Sequence, residues 1–183
     1  RKIITQSMKE KKPNIKIKIN KTDILKYLKK EVYSKENDNL KIQPGLVIGL
    51  AWTEVGGTTL AVEVESYKGK GEIKITGSLG DVMKESINIC LSYVKSHSKE
   101  LRIDEKKFVD TDFHINFRET AIKKDGPSAG VTITTALISY LKNKKVNSNI
   151  SMTGEMTLLG DVLEIGGLKE KSLAFNPLTF AKD

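Results

Sequence analysis

Short stretches of alternating or continuous apolar residues mark the strands predicted for this chain. Residues 14–19 alternate apolar and polar side chains, and residues 46–52 are almost wholly apolar. Both patterns predict strands. A Gly-containing turn follows the second of these, and residues 59–66 are predicted to return as the other strand of a hairpin. Further strands are predicted at residues 72–76, 113–117, 150–153 and 162–165.

Four other stretches repeat their apolar residues at helical spacing. Thr22 or Asp23 can cap a short helix that extends to Val32, and a long helix is predicted to begin at Asp81. A third helix is predicted at residues 131–141, with Val131, Thr135 and Ile138 on one face, and a last one begins at Leu168. The face of the long helix expected to pack on the sheet consists of Val82, Ser86, Ile89, Cys90, Tyr93, Val94 and His97.

The irregular order of strands and helices, with a hairpin early in the chain, predicts an α+β fold rather than a doubly wound parallel sheet. We expect a compact single domain with a mixed sheet, hairpins and packed helices, since 183 residues can bury one core. Residues 1–20 are predicted to be an N-terminal arm with the first strand, and residues 21–183 the domain itself. Because the chain begins with Arg1 and shows no signal peptide, we expect a piece of a longer protein.

Composition narrows the classes of function. With 38% apolar and 30% charged residues and no run of about 18 apolar residues, we expect no membrane partner. The single cysteine, Cys90, excludes an internal disulfide and fits a reducing compartment, and its place in a helical stripe predicts a buried apolar role. His97, at the end of the long helix, and His114 have no other ligand at metal-binding spacing, so no metal site is predicted. A Gly-x4-Gly-Lys-Ser/Thr phosphate loop is absent from the sequence.

The formal net charge of +8 permits binding to acidic partners such as nucleic acid. The lysines, however, are scattered among asparagine and glutamate, which is typical of a solvated surface. A basic nucleic-acid-binding module therefore stays an open alternative without specific support.

The clearest candidate for chemistry is Ser128, in the turn before the third helix. Pro127 favours the backbone angle of a first helical turn, and the backbone N–H groups there have no partner within the helix. The N–H groups of Gly126, Ser128 and Ala129 are therefore candidate donors to an oxyanion. The same small residues also suit a turn with no function.

A serine nucleophile needs a base, and the sequence offers several. His114 precedes Ser128 by 14 positions but has no acidic residue placed to orient it. A lysine can serve if burial lowers its pKa. In the last helix, Lys171 shares a face with Leu168, Ser172 and Phe175, so it is predicted to point toward the core while Lys169 points to water; a solvated Lys171 is the simpler alternative. Two Ser-x-x-Lys pairs, Ser92 with Lys95 and Ser96 with Lys99, lack the companion motifs of penicillin-binding enzymes.

Five blocks between Pro44 and Lys171 carry a resemblance to a known family. The blocks are PG at 44–45 with GLAWTEVGG at 49–57, TGSLGDVMKES at 76–86, KDGPSAG at 124–130, MTGE at 152–155 and IGGLKEK at 165–171. In this order they resemble the proteolytic domain of Lon, the ATP-dependent protease.

The resemblance implies a serine endopeptidase that works through a Ser-Lys dyad without histidine. It places the nucleophile at Ser128 and the lysine at Lys171. It implies that Thr153 helps to hold the lysine and that Glu155 is a nearby support. Asp125 pairs with the lysine in some relatives, which would raise the lysine's pKa and indicate an inactive arrangement.

The resemblance also implies the setting of the domain. Relatives form a six-membered ring that degrades polypeptides fed to it by an ATPase module of the same parent chain, so ATP and Mg²⁺ are expected for the full-length protein and no cofactor in this chain. The cytoplasm of a bacterium or the mitochondrial matrix is the expected location. The chain stops at Asp183, where relatives continue, so its C-terminal end is expected to be truncated. A catalytically silent assembly domain is the alternative if Lys171 is exposed or tied to Asp125.

Overall fold

A computed structural model describes residues 40–54, 56–118 and 122–174. The strand and helix predicted between residues 14 and 32 lie outside these ranges. The elements in chain order are β1 Leu46–Thr53, β2 Gly56–Lys68, β3 Ile73–Thr76, α1 Asp81–Ser96, a 3₁₀ turn Glu105–Phe108, β4 Thr111–Phe117, α2 Gly130–Leu141, β5 Ser151–Met152, β6 Glu155–Met156, β7 Val162–Leu163 and α3 Leu168–Ala174.

The predicted α+β fold with a mixed sheet is confirmed. Five strands form one sheet in the order β3-β4-β2-β1-β5. The predicted hairpin is β1 with β2, in which Thr53 pairs with Gly56, so the strands run closer to the turn than the sequence pattern predicted. The pair β2–β4 is also antiparallel, whereas β3–β4 and β1–β5 are parallel. β6 and β7 form a separate two-stranded antiparallel sheet.

Strand β4 shows which face of the sheet carries the core. Phe113, Ile115 and Phe117 are at most 1% exposed and pack in one cluster with residues of α1 and α2. Because side chains alternate along a strand, His114 and Asn116 lie on the opposite face. The helices that lead to the candidate chemistry therefore pack on the face that His114 does not share.

The buried face of α1 differs from the predicted stripe. Ser86, Cys90 and Val94 are buried as predicted, but Val82 is 46% exposed. Met83, Ile87 and Leu91 complete the buried face instead. Both stripes have helical spacing, and the stripe with the larger apolar side chains packs against the core.

Helix α2 is buried over most of its circumference, not only on the predicted face. Val131, Thr135 and Ile138 are half-buried, whereas Ile133, Ala136 and Leu137 on the other side are fully buried. The helix contacts α1, the strands β1 and β2, and the short strands β5 and β6, so it is covered from several directions. In the described part of the chain, no helix combines the length and apolar character needed to cross a bilayer.

Candidate active site

Ser128 lies in the turn immediately before α2, two residues ahead of the first helical residue, Gly130. Two backbone hydrogen bonds fix this turn to the segment between β5 and β6. The N–H of Gly154 donates to the carbonyl of Ser128 at 2.8 Å, and the N–H of Val131 donates to the carbonyl of Gly154 at 3.0 Å. The Ser128 carbonyl and the N–H three residues later are therefore both bonded to the backbone of Gly154.

The two segments approach so closely that side chains would separate them. A Cβ at Gly130 would lie 2.6 Å from the backbone nitrogen of Met156, and a Cβ at Gly154 would lie 2.7 Å from Val131 Cγ2. Real Cβ atoms do not approach neighbours this closely, so a side chain at either position would force a neighbour to move: the backbone of Met156 at Gly130, and valine methyl groups at Gly154. The position of the Ser128 turn thus depends on two residues without side chains.

Lys171 reaches Ser128 from α3. Its Nζ donates to Ser128 Oγ at 2.9 Å, and its side chain leaves the residue only 4% exposed. Leu168 and Leu173 of the same short helix are 62% and 77% exposed, so the helix turns its charged residue inward and these apolar residues outward. Burial lowers the pKa of Lys171, because a desolvated ammonium ion is disfavoured.

Thr153 contacts both of these residues. Its Oγ1 donates to the carbonyl of Ser128 at 3.1 Å. Since the hydroxyl proton is used in that bond, the oxygen accepts from Lys171 Nζ at 3.4 Å. Thr153 therefore links the backbone of the serine to the amine of the lysine.

Helix α3 packs against the β1–β2 hairpin. Gly57, which pairs with Trp52 across the hairpin, faces the helix, and a Cβ there would lie 2.0 Å from the carbonyl oxygen of Glu170. At the start of the helix, Gly167 lies against the Trp52 indole, and the N–H of Lys171 donates to the Gly167 carbonyl at 2.9 Å. The main chain of α3 around Lys171 is therefore in close contact with the hairpin.

Asp125 is bonded to backbone groups rather than to Lys171. Its Oδ1 accepts from the N–H of Gly126 at 2.8 Å and from the N–H of Met83 at 3.0 Å. Gly80, the N-cap residue of α1, has no side chain to cap the helix, so Asp125 supplies the capping oxygen from another segment. The hydrogen bonds from Gly126 and then Met83 lower the pKa of the Asp125 carboxyl.

The similarity of this chain to known proteins covers the residues of the candidate site. A model of the Lon protease (S16) C-terminal proteolytic domain family matches residues 18–179. The chain belongs to this family. The Lon protease of Lachnoclostridium phytofermentans is 52% identical over 159 residues, which cover 87% of this chain and 20% of that protein. That of Clostridioides difficile is 53% identical over 156 residues (85% and 20%), and that of Clostridium acetobutylicum 47% over 174 residues (95% and 22%). The chain thus spans about a fifth of the length of these relatives.

In this Lon proteolytic domain, the structure brings together Ser128, Lys171 and Thr153, three of the residues predicted as site residues. It does not bring in the other two supporting residues. Asp125 is directed to the start of α1, and the pairing with the lysine that some relatives show is not among its hydrogen bonds. Glu155 is half-buried in β6, and within the described ranges no hydrogen bond or ion pair joins its carboxylate to the lysine.

Of the three predicted oxyanion donors, one already makes a hydrogen bond within the described chain and two do not. The N–H of Gly126 is already bonded to Asp125, so it is not free to bind an oxyanion in this conformation. The N–H groups of Ser128 and Ala129 have no acceptor among the residues that the structure describes. These two adjacent groups, on the turn that carries the Ser128 hydroxyl, are the predicted donors that remain available among the described residues.

The other candidate bases and nucleophiles have structural roles in this Lon domain. His114 is on the far face of the sheet, with Nε2 2.9 Å from the hydroxyl of Thr76. Ser92 and Ser96 donate to carbonyl groups of their own helix. Cys90, which the sequence predicted as a buried apolar residue, is fully buried, and desolvation raises the pKa of its thiol. Across the described residues, no group of three or more His, Cys, Asp or Glu side chains is arranged to hold a metal ion.

The helical spacing predicted that Lys171 points inward, but it did not predict which neighbouring residues of α3 are exposed. Leu168 and Ser172, expected to share that face, are exposed, and Phe175 lies outside the described residues. Gly57 and Gly154 were not predicted as site residues. The signal available in the sequence was glycine within or beside strands, which often marks a close approach of another backbone.

Proposed function

We propose that this chain is the serine endopeptidase domain of an ATP-dependent protease, with Ser128 as nucleophile and Lys171 as general base. The observation that carries the proposal is the 2.9 Å separation between Lys171 Nζ and Ser128 Oγ, with the amine buried and its pKa lowered. A neutral amine at that distance can accept the hydroxyl proton. This is the activation that a serine needs in the absence of a histidine.

The proposed reaction has two halves. Neutral Lys171 takes the Ser128 proton as Oγ attacks the carbonyl carbon of a peptide bond, and the N–H groups of Ser128 and Ala129 donate to the resulting oxyanion. The Lys171 ammonium then protonates the leaving nitrogen, the C–N bond breaks, and an ester to Ser128 remains. Water attacks this ester, gives a proton to Lys171, and the proton returns to Oγ as the ester C–O bond breaks.

Thr153 has a positioning role in this proposal. By accepting from Lys171 Nζ and donating to the Ser128 carbonyl, it restricts the amine to the side of the serine. It contacts the proposed base directly at Nζ and the proposed nucleophile through the Ser128 carbonyl.

The wider setting is proposed from the relatives. The matched proteins are named Lon protease, and we propose that this chain likewise acts on unfolded or regulatory polypeptides, within a six-membered ring and behind an ATPase module in the rest of the parent protein. ATP and Mg²⁺ are proposed to act in that module. No step above uses them. A bacterial cytoplasm or mitochondrial matrix is the proposed location, and cell fractionation that recovered the protein outside these compartments would contradict it.

A serine-reactive fluorophosphonate probe tests the dyad directly. The wild-type chain should be acylated at Ser128, and labelling should be lost in Ser128→Ala and reduced by at least about 1000-fold in Lys171→Ala. Ser172→Ala is the matched control, since that exposed hydroxyl is one residue from Lys171 and donates to the Lys169 carbonyl. Labelling or peptide cleavage that persists in Ser128→Ala would exclude the proposed nucleophile.

A further inference from the structure

Gly57 is in close contact with α3, the helix that carries the candidate base. Gly57 is in β2, away from the 124–130 turn in sequence, and its main chain faces the carbonyl of Glu170, the residue immediately before Lys171. A Cβ at position 57 would lie 2.0 Å from the Glu170 oxygen, 2.5 Å from the Glu170 carbonyl carbon and 3.0 Å from Ala174 Cβ. Two of these atoms are backbone, so no side-chain rotation can relieve the contact.

The requirement at this position is steric and not conformational. Several glycines of the chain have positive φ, including Gly56 and Gly167, but Gly57 does not. Alanine at position 57 therefore meets no left-handed backbone penalty, and the main effect of its methyl group is to push against α3. This separates Gly57 from glycines whose substitution would distort the strand itself.

We propose that Gly57 is a positioning residue for the base: it has no side chain so that α3 can approach the hairpin closely enough to bring Lys171 to Ser128. The inference rests on the proposed function for its effect on catalysis, but its structural half stands on the contact alone. Helix α3 has only seven residues, so a displacement at Glu170 carries Lys171 with it.

Displacement of α3 would have two effects that reinforce each other. The Nζ–Oγ separation would increase from 2.9 Å, and a shift of about 1 Å at a reacting pair can cost about 100-fold in rate. The amine would also gain contact with water, which removes the desolvation that disfavours its charged form. A purely structural role for Gly57 would lower stability without changing the titration of this one amine.

The experiment compares Gly57→Ala with Gly166→Ala. Gly166 immediately precedes Gly167 at the start of α3, has no positive φ, and a Cβ there would meet no atom within 4 Å. For each variant and the wild type, the Lys171 amine is titrated by NMR in a chain labelled with ¹³C-lysine, the resonance being assigned by its loss in Lys171→Met. Fluorophosphonate acylation of Ser128 is measured across pH in the same samples, and thermal unfolding confirms that each variant is folded.

In Gly57→Ala we expect the Lys171 pKa to rise toward the ordinary value of about 10.4 and the acylation rate at neutral pH to fall by about 100-fold, with partial recovery at high pH. Gly166→Ala should match the wild type in both. A folded Gly57→Ala chain with wild-type Lys171 titration and wild-type acylation would overturn the inference.

Two further outcomes are also decisive. If Gly57→Ala does not fold, Ala174→Val increases the bulk of the same contact from the helix side, and the same pair of shifts is expected; their absence in a folded Ala174→Val chain would overturn the inference. If wild-type acylation proves independent of Ser128 and Lys171, the proposed function fails, while the NMR titration still decides whether Gly57 sets the burial of the amine.

Discussion

Thr153 Oγ1 donates to the carbonyl oxygen of Ser128 at 3.1 Å, so the residue that holds the lysine also holds the main chain of the serine. The same carbonyl accepts from the N–H of Gly154 at 2.8 Å. A carbonyl with two donors in fixed positions leaves little freedom for the turn that carries the hydroxyl. Through its bonds to the Ser128 carbonyl and to Lys171 Nζ, Thr153 links the placement of the serine to the placement of the amine.

Thr153→Val should show this coupling, because valine keeps the shape and removes both hydrogen bonds. We expect kcat/KM for a fluorogenic peptide to fall by about 10- to 100-fold, the equivalent of two lost hydrogen bonds. Thr153→Ser keeps the hydroxyl and should retain most of the activity. Equal rates in the valine and serine variants would show that the hydroxyl does not position the dyad.

The pH dependence of acylation should follow the Lys171 amine. Burial lowers its pKa, and the amine must be neutral to accept a proton, so the rate should rise with pH and level off below the ordinary lysine value of about 10.4. Lys169→Ala, which removes the exposed lysine two residues away, should keep the same profile. A rate that still rises above about pH 10.4 would mean that the base is not a buried lysine.

Replacing Lys171 with methionine should raise stability while it removes activity. Between the lowered pKa of the folded state and about 10.4, the unfolded chain binds more protons at this site, so wild-type stability increases with pH across that window. Lys171→Met lacks this dependence. Its gain should be on the order of 1 kcal/mol near neutral pH and should diminish as the pH approaches 10.4. Urea unfolding at several pH values measures this, and Lys169→Met should show no such gain.

Acid stability should depend in part on Asp125. Its folded-state pKa is lowered, so its stabilising effect is present above the unfolded value of about 3.9 and is lost as the pH falls through the folded value. Asp125→Asn keeps an acceptor oxygen without the charge, and its unfolding midpoint should change less between pH 5 and pH 2 than that of the wild type. Asp125→Ala loses the cap of α1 as well and should be the less stable of the two at pH 7. Identical acid profiles in the wild type and Asp125→Asn would contradict this assignment.

Most of the described fold could be predicted from hydrophobic spacing. The hairpin, the strand at Phe113 and the helices beginning near Asp81, Gly130 and Leu168 all appear where the pattern placed them. The faces of the helices were harder to predict, because Val82 and Met83 both begin stripes of helical spacing and only the packing partner decides between them. The order of the strands, with β4 inserted between β3 and β2, depends on contacts distant in sequence.

The candidate site was predictable in its chemistry but less so in its geometry. A serine in a small-residue turn and a lysine on a helix could be found as residue types, and the resemblance paired them. The hydrogen bonds of Asp125 could not be predicted, because they join it to the start of α1, which is distant in sequence. There Gly80 has no side chain to cap the helix. The close contact at Gly57 could not be predicted either, because the only sign of it in the sequence is a glycine.

The 43 positions that separate Ser128 from Lys171 also fix the order in which a growing chain acquires its parts. During synthesis Ser128 and the helix that follows it, α2, emerge from the ribosome before α3 exists. In a nascent chain the Ser128 hydroxyl therefore has no Lys171 amine beside it. If Ser128 and Lys171 form the proposed dyad, such a chain has no hydrolytic activity until α3 docks. A chain shortened to end at Gly167 should accordingly leave the fluorophosphonate probe unreacted.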